Sequence, residues 1–593
     1  MRIDDWKVSF TSKNPTGTIA MDHNWGRLKV DEAFRWSQTH FDSGAGRDRD
    51  NGELQLRTKD PIGFVLDYSN PHGKVFTQTA GPDVTNAASY TPFVVTAHNA
   101  TTQPIDQTSA VLLKRDSDSN TNEVSANVNA SYLLPTEYNL TLKTGLDTIN
   151  RRVHAWVPST RRWYGVVGST IPTGTGLVPL TEYEIQQGGA RMPVFDPAAI
   201  NTTLGNTALW TEDINFNAAE KYRSTRIMEE GVDSAYLQGS GKFGRLSVLT
   251  GVRTERVSTY TFFYVAPPVA RRQVVVNAAD PVEAARRASI DYLPSSTKGK
   301  YQKYFPSAHL AYDLTKNLKL RASWSNSYGR PRLQDMVASP TAVDTPSPAV
   351  TAPGTVTIGN PNLRPALAKN LDFRIDYAMW TSGFFSARVF RKDIRDYVGS
   401  STNNNVRIAD GGDNGYGGQY VGYQLINPLN IGTTRTTGIE LDFRQQLTFL
   451  PGALKGLSVR ANYTNDRTSA VFLGVPYANG QVVGTAGQWY IPRTYNVGLQ
   501  YYYRKFGANL DMNYTCQFPI AFGFSTLGTN QYREARKVYN SGLTYRLTPE
   551  VTGFLNVSNI TQADLITHTS FDERHRQYYV MPRALKLGVT GRF

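Results

Sequence analysis

The sequence predicts an all-β protein, a transmembrane antiparallel β-barrel with short periplasmic turns and long extracellular loops. Short runs of alternating apolar and polar residues recur along the whole chain, and short turns alternate with long loops between them. No run of about 18 apolar residues occurs, which excludes a helical membrane protein. A closed barrel is the other fold that satisfies all backbone polar groups inside a bilayer.

Length and composition agree with this prediction. The chain has 593 residues, more than one soluble core holds, but an added strand widens a barrel without starting a second core. The 33 Tyr, 26 Phe and 49 Gly are too many for a disordered chain. Cys516 is the only cysteine, so a disulfide scaffold and a Cys-rich zinc site are excluded.

The strands are identified by alternation with a period of two. In chain order, apolar residues occupy every second position in the segments 124–132, 318–324, 371–377, 439–443, 457–463 and 508–514. Between the apolar residues of 371–377 lie three charged residues, which share one face of the strand. Such a strand has two unlike faces, apolar toward lipid and polar toward a lumen.

The connections are of two kinds. Short turns with Gly, Pro, Asn or Thr are predicted at 134–137, 240–244, 314–317, 381–383, 451–456, 505–507 and 548–550. Long loops are predicted at 158–232, 260–300, 328–365, 396–436, 466–492 and 516–534, with a short helix at 281–289 inside one of them. Turns at one rim and loops at the other are typical of an outer-membrane barrel.

Charged residues on the polar strand faces are the candidate functional residues, because they would line the lumen. They are Lys319, Arg321, Asp372, Arg374, Asp376, Glu440, Asp442, Arg444 and Arg460. One interpretation is that they hold a plug by ion pairs or bias an open pore. The alternative is a solvated barrel wall with cross-strand pairing.

Several segments carry a family resemblance. Asn360, Pro361, Leu363 and Pro365 resemble the Asn-Pro-x-Leu-x-Pro entry to a strand in TonB-dependent receptors, although Ala366 replaces the following Glu. The segments 304–332, 389–394, 437–441 and 554–560 resemble other strands of the same barrel in order and spacing. The end of the chain resembles the assembly signal of outer-membrane proteins through Lys586, Gly588 and Phe593.

The resemblance implies a barrel of about 22 strands whose lumen is filled by a separate N-terminal plug. It covers residues 122–593, and residues 1–121 are assigned to the first barrel strands by their strand-like texture. We therefore expect residues 1–593 to form one barrel. No signal peptide, TonB box or plug domain is recognisable, so we also expect the chain to lack the N-terminal part of such a receptor.

The implied function is TonB-dependent uptake of a scarce nutrient across the outer membrane of a Gram-negative bacterium. The nutrient classes are an iron–siderophore complex, a cobalamin-like molecule and an oligosaccharide. An unplugged passive pore or truncated receptor is the first alternative, and a soluble carbohydrate-active β protein is the second. We expect a monomeric transporter and not an enzyme, with no catalytic, cofactor or metal site.

The expected partners follow from the resemblance and from the net charge of +14. They are the nutrient, the barrel-assembly machinery, the outer-membrane lipid, and the TonB complex through the missing N-terminal part. Basic residues are too dispersed for nucleic-acid binding. Lipopolysaccharide phosphates are expected to bind Arg151, Arg152, Arg161, Arg162, Arg271 and Arg272.

The segment 116–123 spaces oxygen ligands at every second position, as in a calcium loop, but Thr121 occupies the place of the required glycine. We predict a solvated loop there. His568 and His575 lie close together near the last strand without a metal-binding motif.

Overall fold

The structure is a computed structural model. It describes residues 2–7, 10–43, 52–67, 75–92, 111–114, 117–156, 161–165, 180–184, 191–195, 202, 210–212, 214–266, 280–332, 335–336, 341–344, 354–360, 362–379, 382–410, 418–472, 490–521, 530–570 and 575–591.

Most of these residues lie in strands. In chain order the strands are β1 Arg2–Lys7, β2 Phe10–Lys13, β3 Thr16–Trp25, β4 Leu28–Ser43, β5 Gly52–Thr58, β6 Gly63–Asp67, β7 Val75–Ala80, β8 Tyr90–Pro92, β9 Val111–Lys114, β10 Ser117–Leu133, β11 Thr141–Trp156, β12 Arg161–Gly165, β13 Leu180–Glu184, β14 Arg191–Phe195, β15 Trp210–Glu212, β16 Arg226–Phe243, β17 Leu246–Val265, β18 Leu293–Asp313, β19 Leu318–Gly329, β20 Thr341–Asp344, β21 Gly354–Thr357, β22 Ala366–Met379, β23 Gly383–Arg407, β24 Gln424–Gln446, β25 Leu457–Phe472, β26 Arg493–Tyr503, β27 Phe506–Thr515, β28 Phe518–Ala521, β29 Gln531–Arg533, β30 Arg536–Arg546, β31 Val551–Ser558, β32 Leu565–His568, β33 His575–Tyr579 and β34 Ala584–Gly591.

In the described part of the chain, two α-helices of eleven residues each, α1 Ile214–Ser224 and α2 Pro281–Asp291, lie among the loops. The carboxylate of Asp280 caps α2 by accepting the backbone N–H groups of Val282 and Glu283 at 2.8 and 2.9 Å. Pro281 occupies the first turn, where its missing N–H costs no helical hydrogen bond. The helix predicted at 281–289 is therefore confirmed. No helical stretch within the described ranges is long and apolar enough to cross a membrane.

One large sheet forms the barrel, and it is antiparallel except where β21, the partner of β20, runs parallel to β24. Its strands pair in the order β3, β4, β10, β11, β16, β17, β18, β19, β22, β23, β24, β25, β26, β27, β30, β31 and β34, and β2 pairs with β4 beside β3. The predicted large antiparallel barrel is confirmed. In the described part of the chain this path counts seventeen strands, where the resemblance implied about 22.

The two faces of the sheet differ as the alternation predicts. On β22, Leu371 and Phe373 point outward and are 58% and 44% exposed. Asp376 of the same strand points inward and is 9% exposed. Outward apolar residues recur on the other strands, for example Leu146, Leu310 and Leu510. Their exposure fits lipid as the surrounding solvent, because water would penalise so much apolar surface.

The strands are longer than predicted. β17, β18, β23 and β24 have 20, 21, 25 and 23 residues, whereas about 9–11 residues cross a bilayer. β23 and β24 therefore extend far into the segment 396–436, which was wrongly predicted to be a loop. The wall of the barrel rises well beyond the apolar band at the loop rim.

The predicted turn at 314–317 is confirmed between β18 and β19. Of the turn predicted at 381–383, Ser382 lies in a turn, Gly383 begins β23, and Thr381 lies outside the described residues. The prediction of a turn starting at Ser240 was wrong. β16 continues to Phe243, and the chain reverses at Gly244, whose φ of 58° suits a residue without Cβ. The run Gly239-Ser240-Gly241 is strand, because its residues pair with Thr250, Leu249 and Val248 of β17.

A small protein core lies at the loop rim. Phe263, Val356, Ile358, Tyr420 and Tyr423 are buried together there. A second cluster joins α1 and α2 to the end of β17 through Ala219, Ala288, Ala266 and Tyr292. Smaller sheets accompany them, formed by β1, β5, β8, β9, β12 and β15, by β6 and β7, by β13 and β14, and by β28, β29, β32 and β33.

Candidate functional site in the barrel lumen

The nine charged residues predicted from alternation lie on the inner face of the sheet, opposite the exposed apolar residues. β19 carries Lys319 and Arg321, β22 carries Asp372, Arg374 and Asp376, β24 carries Glu440, Asp442 and Arg444, and β25 carries Arg460. β23 lies between β22 and β24. The structure thus collects these residues in one patch, the lumenal patch, on four strands that together with β23 are neighbours in the sheet.

A row of three arginines crosses the lumenal patch. Arg321 is the register partner of Arg374, and Arg374 is the register partner of Arg388. Like charges directly opposite each other destabilise a sheet unless they are neutralised. Asp376 neutralises two of them, because Nε of Arg321 and Nε of Arg374 donate to its carboxylate at 2.7 and 2.5 Å.

Arg388 is the third member of the row. Its Nε donates to Asp372 Oδ1 at 2.7 Å and its Nη1 donates to Glu440 Oε2 at 2.8 Å. Its guanidinium also lies 5.0 Å from the ring centre of Phe390. Arg388 therefore joins three strands, yet the alternation analysis did not select it. Polar Ser386 and Arg388 alternate with apolar Ala387 and Val389, and this alternation could have identified Arg388 as a lumenal residue.

Three other charges of the lumenal patch, Lys319, Arg444 and Arg460, also have partners. Lys319 Nζ is 3.2 Å from Asp313 Oδ1, and Arg460 Nη2 donates to Asp511 Oδ1 at 2.7 Å. The guanidinium of Arg444 lies 4.8 Å from the ring centre of Phe384. Asp511 was missed as a lumenal acid, although it alternates with apolar residues on β27.

A cavity of about 1090 Å³ opens over the lumenal patch. Its lining includes Arg321, Arg374, Arg388 and Arg444 together with Asp372, Glu440 and Asp442. Such a wall presents guanidinium and carboxylate groups side by side. It can bind a polar partner through several charge-assisted hydrogen bonds at once.

A second inner-face network lies on β11, β16, β17 and the end of β19. Arg253 bridges Asp147 at 3.1 Å and Glu255 at 2.6 Å. Arg330 bridges Glu230 at 3.2 Å and Glu255 at 3.6 Å. The inner wall is therefore cross-linked by ion pairs over much of its circumference.

The family motif forms a structural staple above β22. The side chain of Asn360 donates to Pro428 O at 3.0 Å, and its Oδ1 accepts the backbone N–H of Asn362 at 3.0 Å. Leu363 is 2% exposed and packs in a cluster with Met336. Pro365 immediately precedes β22, and Pro361 lies outside the described residues.

The last strand places two residues of the predicted assembly signal. Gly588 is the register partner of Phe554, and a Cβ at Gly588 would lie 2.6 Å from Phe554 Cζ. Lys586 Nζ lies 6.0 Å from the centre of the same ring. Gly588 therefore makes room for an aromatic ring. Phe593 lies outside the described residues.

The arginines predicted to bind lipopolysaccharide are scattered. Arg151 faces inward, where its Nη2 is 2.6 Å from Glu123 Oε2, and Arg152 faces outward beside Glu229 at 3.4 Å. Arg161 and Arg162 begin β12, and no side-chain position is described for them. Arg271 and Arg272 lie outside the described residues.

The segment predicted to be a solvated loop at 116–123 is strand from Ser117 onward. Ligand atoms of His40, Asp42 and Asp118 lie within 4.8 Å of one another on the outer face near the ends of β4 and β10. Asp42 and Asp118 are register partners. His568 is buried and hydrogen-bonded to Gln517 at 3.0 Å, while the side chain of His575 lies outside the described residues.

Comparison with known proteins gives the same fold. The structure is similar to the ferric-catecholate import receptor Fiu from E. coli K12 in its closed form, with a TM-score of 0.55 and 13% identity over 98% of this chain and 64% of that one. It is also similar to the siderophore receptor PiuA from Acinetobacter baumannii, with a TM-score of 0.51 and 10% identity over 98% of this chain and 64% of that one. This chain thus spans about 64% of the length of either receptor.

No curated protein sequence matches the chain. The model of one protein family, described as TonB dependent receptor-like, beta-barrel, matches residues 5–560. That match covers nearly the whole chain and includes all strands of the lumenal patch. The chain belongs to the family of TonB-dependent receptor-like β-barrels.

Proposed function

We propose that the protein is the barrel of an outer-membrane receptor that takes up a scarce nutrient in a TonB-dependent manner. Residues 1–593 form this one barrel, and the host is a Gram-negative bacterium. The protein is a transporter and not an enzyme. The nutrient is an iron–siderophore complex, a cobalamin-like molecule or an oligosaccharide. The names of Fiu and PiuA favour the first of these three classes.

The lumenal patch is the observation that carries this proposal. A passive aqueous pore needs only a polar wall, whereas this wall holds Arg388 between two carboxylates and Asp376 between two guanidinium groups. These groups form a fixed array that matches a protein surface bearing complementary charges. A plug domain held by such an array would be retained at rest and released when force is applied.

Other partners are part of the same proposal. The TonB complex acts through the plug and TonB box of such a receptor. The barrel-assembly machinery recognises β34 through the signal that includes Lys586 and Gly588. The barrel works as a monomer surrounded by outer-membrane lipid and lipopolysaccharide.

The proposal is tested by uptake in the native host. The chromosomal gene is deleted and then restored with its own flanking DNA, and the accumulation of ⁵⁵Fe–catecholate, ⁵⁷Co–cobalamin and a ¹⁴C-oligosaccharide is measured. We expect one nutrient to depend on the gene and to stop accumulating when an uncoupler collapses the proton-motive force. Gene-dependent entry that is insensitive to the uncoupler indicates a passive pore. Entry that is unchanged by the deletion contradicts the proposal.

A further inference from the structure

On the outer face of β22 to β25, the side chains change from apolar to charged on going toward the loop rim. The rows Phe373–Val389–Ile439 and Ile375–Ala387–Leu441 are apolar across three adjacent strands. The next row toward the loop rim runs from Leu371 to Arg391, Thr437 and Arg467, and the row after it runs from Lys369 to Asp393, Arg435 and Ser469. The apolar band therefore ends where a band of charges begins.

The charges in this outer band are mainly positive. It contains five exposed cations, Lys369, Arg391, Arg395, Arg435 and Arg467, all on the same outward face as the apolar rows. Asp393 is the acid among them, so the cluster carries a net charge of +4 from five cations and one anion. We call these six residues the outer basic belt.

Asp393 organises the outer basic belt. Nε of Arg391 donates to its Oδ2 at 2.8 Å, and Nε of Arg435 donates to its Oδ1 at 2.6 Å. The side chains of these two arginines are nevertheless 47% and 56% exposed. Two guanidinium groups are thus held in fixed directions with much of their surface free for a further acceptor.

A groove of about 830 Å³ runs along the outer basic belt. Its lining includes Lys369, Arg395 and Arg435 together with Tyr304. Tyr304 is 65% exposed on the outer face of β18. An exposed tyrosine beside cations, directly above apolar rows, is the composition of a lipid–water interface.

We propose that the outer basic belt binds the phosphorylated head group of a membrane lipid, with the acyl chains lying on the apolar rows below it. Planar guanidinium groups match phosphate oxygens in pairs, and the five cations are confined to the height at which a head group meets the wall. Free phosphate would gain nothing from the adjoining apolar rows. The inference rests on the proposed function only in placing the barrel in a membrane.

This location differs from the loop arginines predicted from sequence. Those residues are divided between the inner face, the outer face, strand β12 of a smaller sheet, and a segment outside the described residues. The outer basic belt brings its cations together on neighbouring strands, which individual basic residues in the sequence did not reveal. The pairing register is what assembles them.

The test compares two doubly substituted variants of the purified protein in detergent. Lys369→Ala/Arg435→Ala removes two cations of the belt. The control, Lys298→Ala/Lys300→Ala, removes two exposed cations from the outer face of β18, farther from the apolar rows than Tyr304. The probe is diphosphoryl lipid A, and its dissociation constant is measured by microscale thermophoresis in matched micelles.

We expect the belt variant to bind diphosphoryl lipid A roughly 10- to 30-fold more weakly than the unsubstituted protein, and the control to change less than about 2-fold. Dephosphorylated lipid A should bind all three proteins equally weakly. Equal losses in both variants, or no loss in either, would overturn the proposal. So would competition by inorganic phosphate at concentrations as low as those of lipid A, since the site would then be one for free phosphate.

Folding is checked separately by heat-modifiable gel mobility. If Lys369→Ala/Arg435→Ala fails to fold, Lys369→Gln/Arg395→Gln serves instead, because it leaves both arginines of the Asp393 pairing in place. The assay involves no nutrient and no energy source. A failed uptake experiment therefore leaves the lipid result standing, and a failed lipid experiment leaves uptake untouched.

Discussion

Arg374 and Arg388 occupy directly opposed positions on neighbouring strands of the inner wall, although both are positively charged. The pair is tolerated because each arginine turns to a different carboxylate, Arg374 to Asp376 and Arg388 to Asp372 and Glu440. The stability of this part of the wall therefore depends on every arginine keeping its carboxylate partners, and not on any single ion pair.

Replacing Arg388 should weaken the barrel more than its exposure suggests. Arg388→Gln leaves Asp372 and Glu440 without their shared cation, and we expect a loss of about 1 kcal/mol in the free energy of unfolding, discounted for partial exposure. Urea titration in lipid vesicles measures this loss. The control Arg27→Gln lies at an exposed position in the turn between β3 and β4. A double-mutant cycle with Asp372→Asn that gave no coupling energy would contradict the assignment.

A charge on the lipid face should cost much more than the same charge on the inner face. Phe373→Lys places an ammonium group in the apolar rows, with an expected penalty of about 2–4 kcal/mol if it lies at the bilayer midplane. Asn462→Lys places the same group on the inner face beside Asp442, its register partner, and should cost close to nothing. Unfolding free energies in vesicles compare the two. Equal penalties would mean that the faces are assigned the wrong way round.

The ring of Phe554 should require a residue without a side chain at position 588. Gly588→Val puts side-chain atoms where the Phe554 ring lies, and overpacking of this kind costs roughly 1–3 kcal/mol. The yield of folded barrel, read from heat-modifiable mobility, should fall. Adding Phe554→Ala removes the clash and should restore part of the yield. A double variant as poor as Gly588→Val alone would show that the glycine acts in assembly and not in packing.

The staple above β22 should depend on one buried leucine. Leu363→Ala removes a side chain that is 2% exposed, and truncations of this kind cost about 2–5 kcal/mol where the cavity does not collapse. The loss should be local, so faster hydrogen exchange is expected at the start of β22 and in the facing part of β24. Asn362→Ala, at an exposed neighbouring position, is the control. Uniformly faster exchange around the barrel would contradict a local staple.

The sequence predicts the part of the fold that contacts the membrane. The alternation in 371–377 and 508–514 is strong because one face meets lipid and the other meets water, so residue type reports direction. Above the apolar band this contrast disappears, since both faces meet water or protein. The long upper parts of β23 and β24 were missed for this reason. Pro428 also argues against a strand, yet it pairs with Ser400 inside the ladder.

The sequence predicted nine charged residues of the candidate site but not Arg388, which lies at the centre of the lumenal patch. Arg388 escaped notice because Phe384 and Phe390 share its inward face, which blurs the alternation. The structure shows why aromatic residues stand there. The ring of Phe384 lies against the guanidinium of Arg444, and the ring of Phe390 fills the space that Gly438 leaves open. The pairing register decides which side chains of two neighbouring strands meet. The pattern of residues along a single strand therefore cannot predict such contacts.

The spacing of paired strands along the chain has a kinetic consequence. Along the described path of the barrel, half of the neighbouring strands are joined by turns such as 314–317 and half by longer connections. The two longest are residues 44–116 between β4 and β10 and residues 157–225 between β11 and β16. Closing segments of this length costs roughly 2–3 kcal/mol more chain entropy than closing a four-residue turn. We expect the hairpins to form first and the pairings of β4 with β10 and of β11 with β16 to form last. Pulse-labelled hydrogen exchange should show β10 and β11 gaining protection from each other before either gains it from β4 or β16.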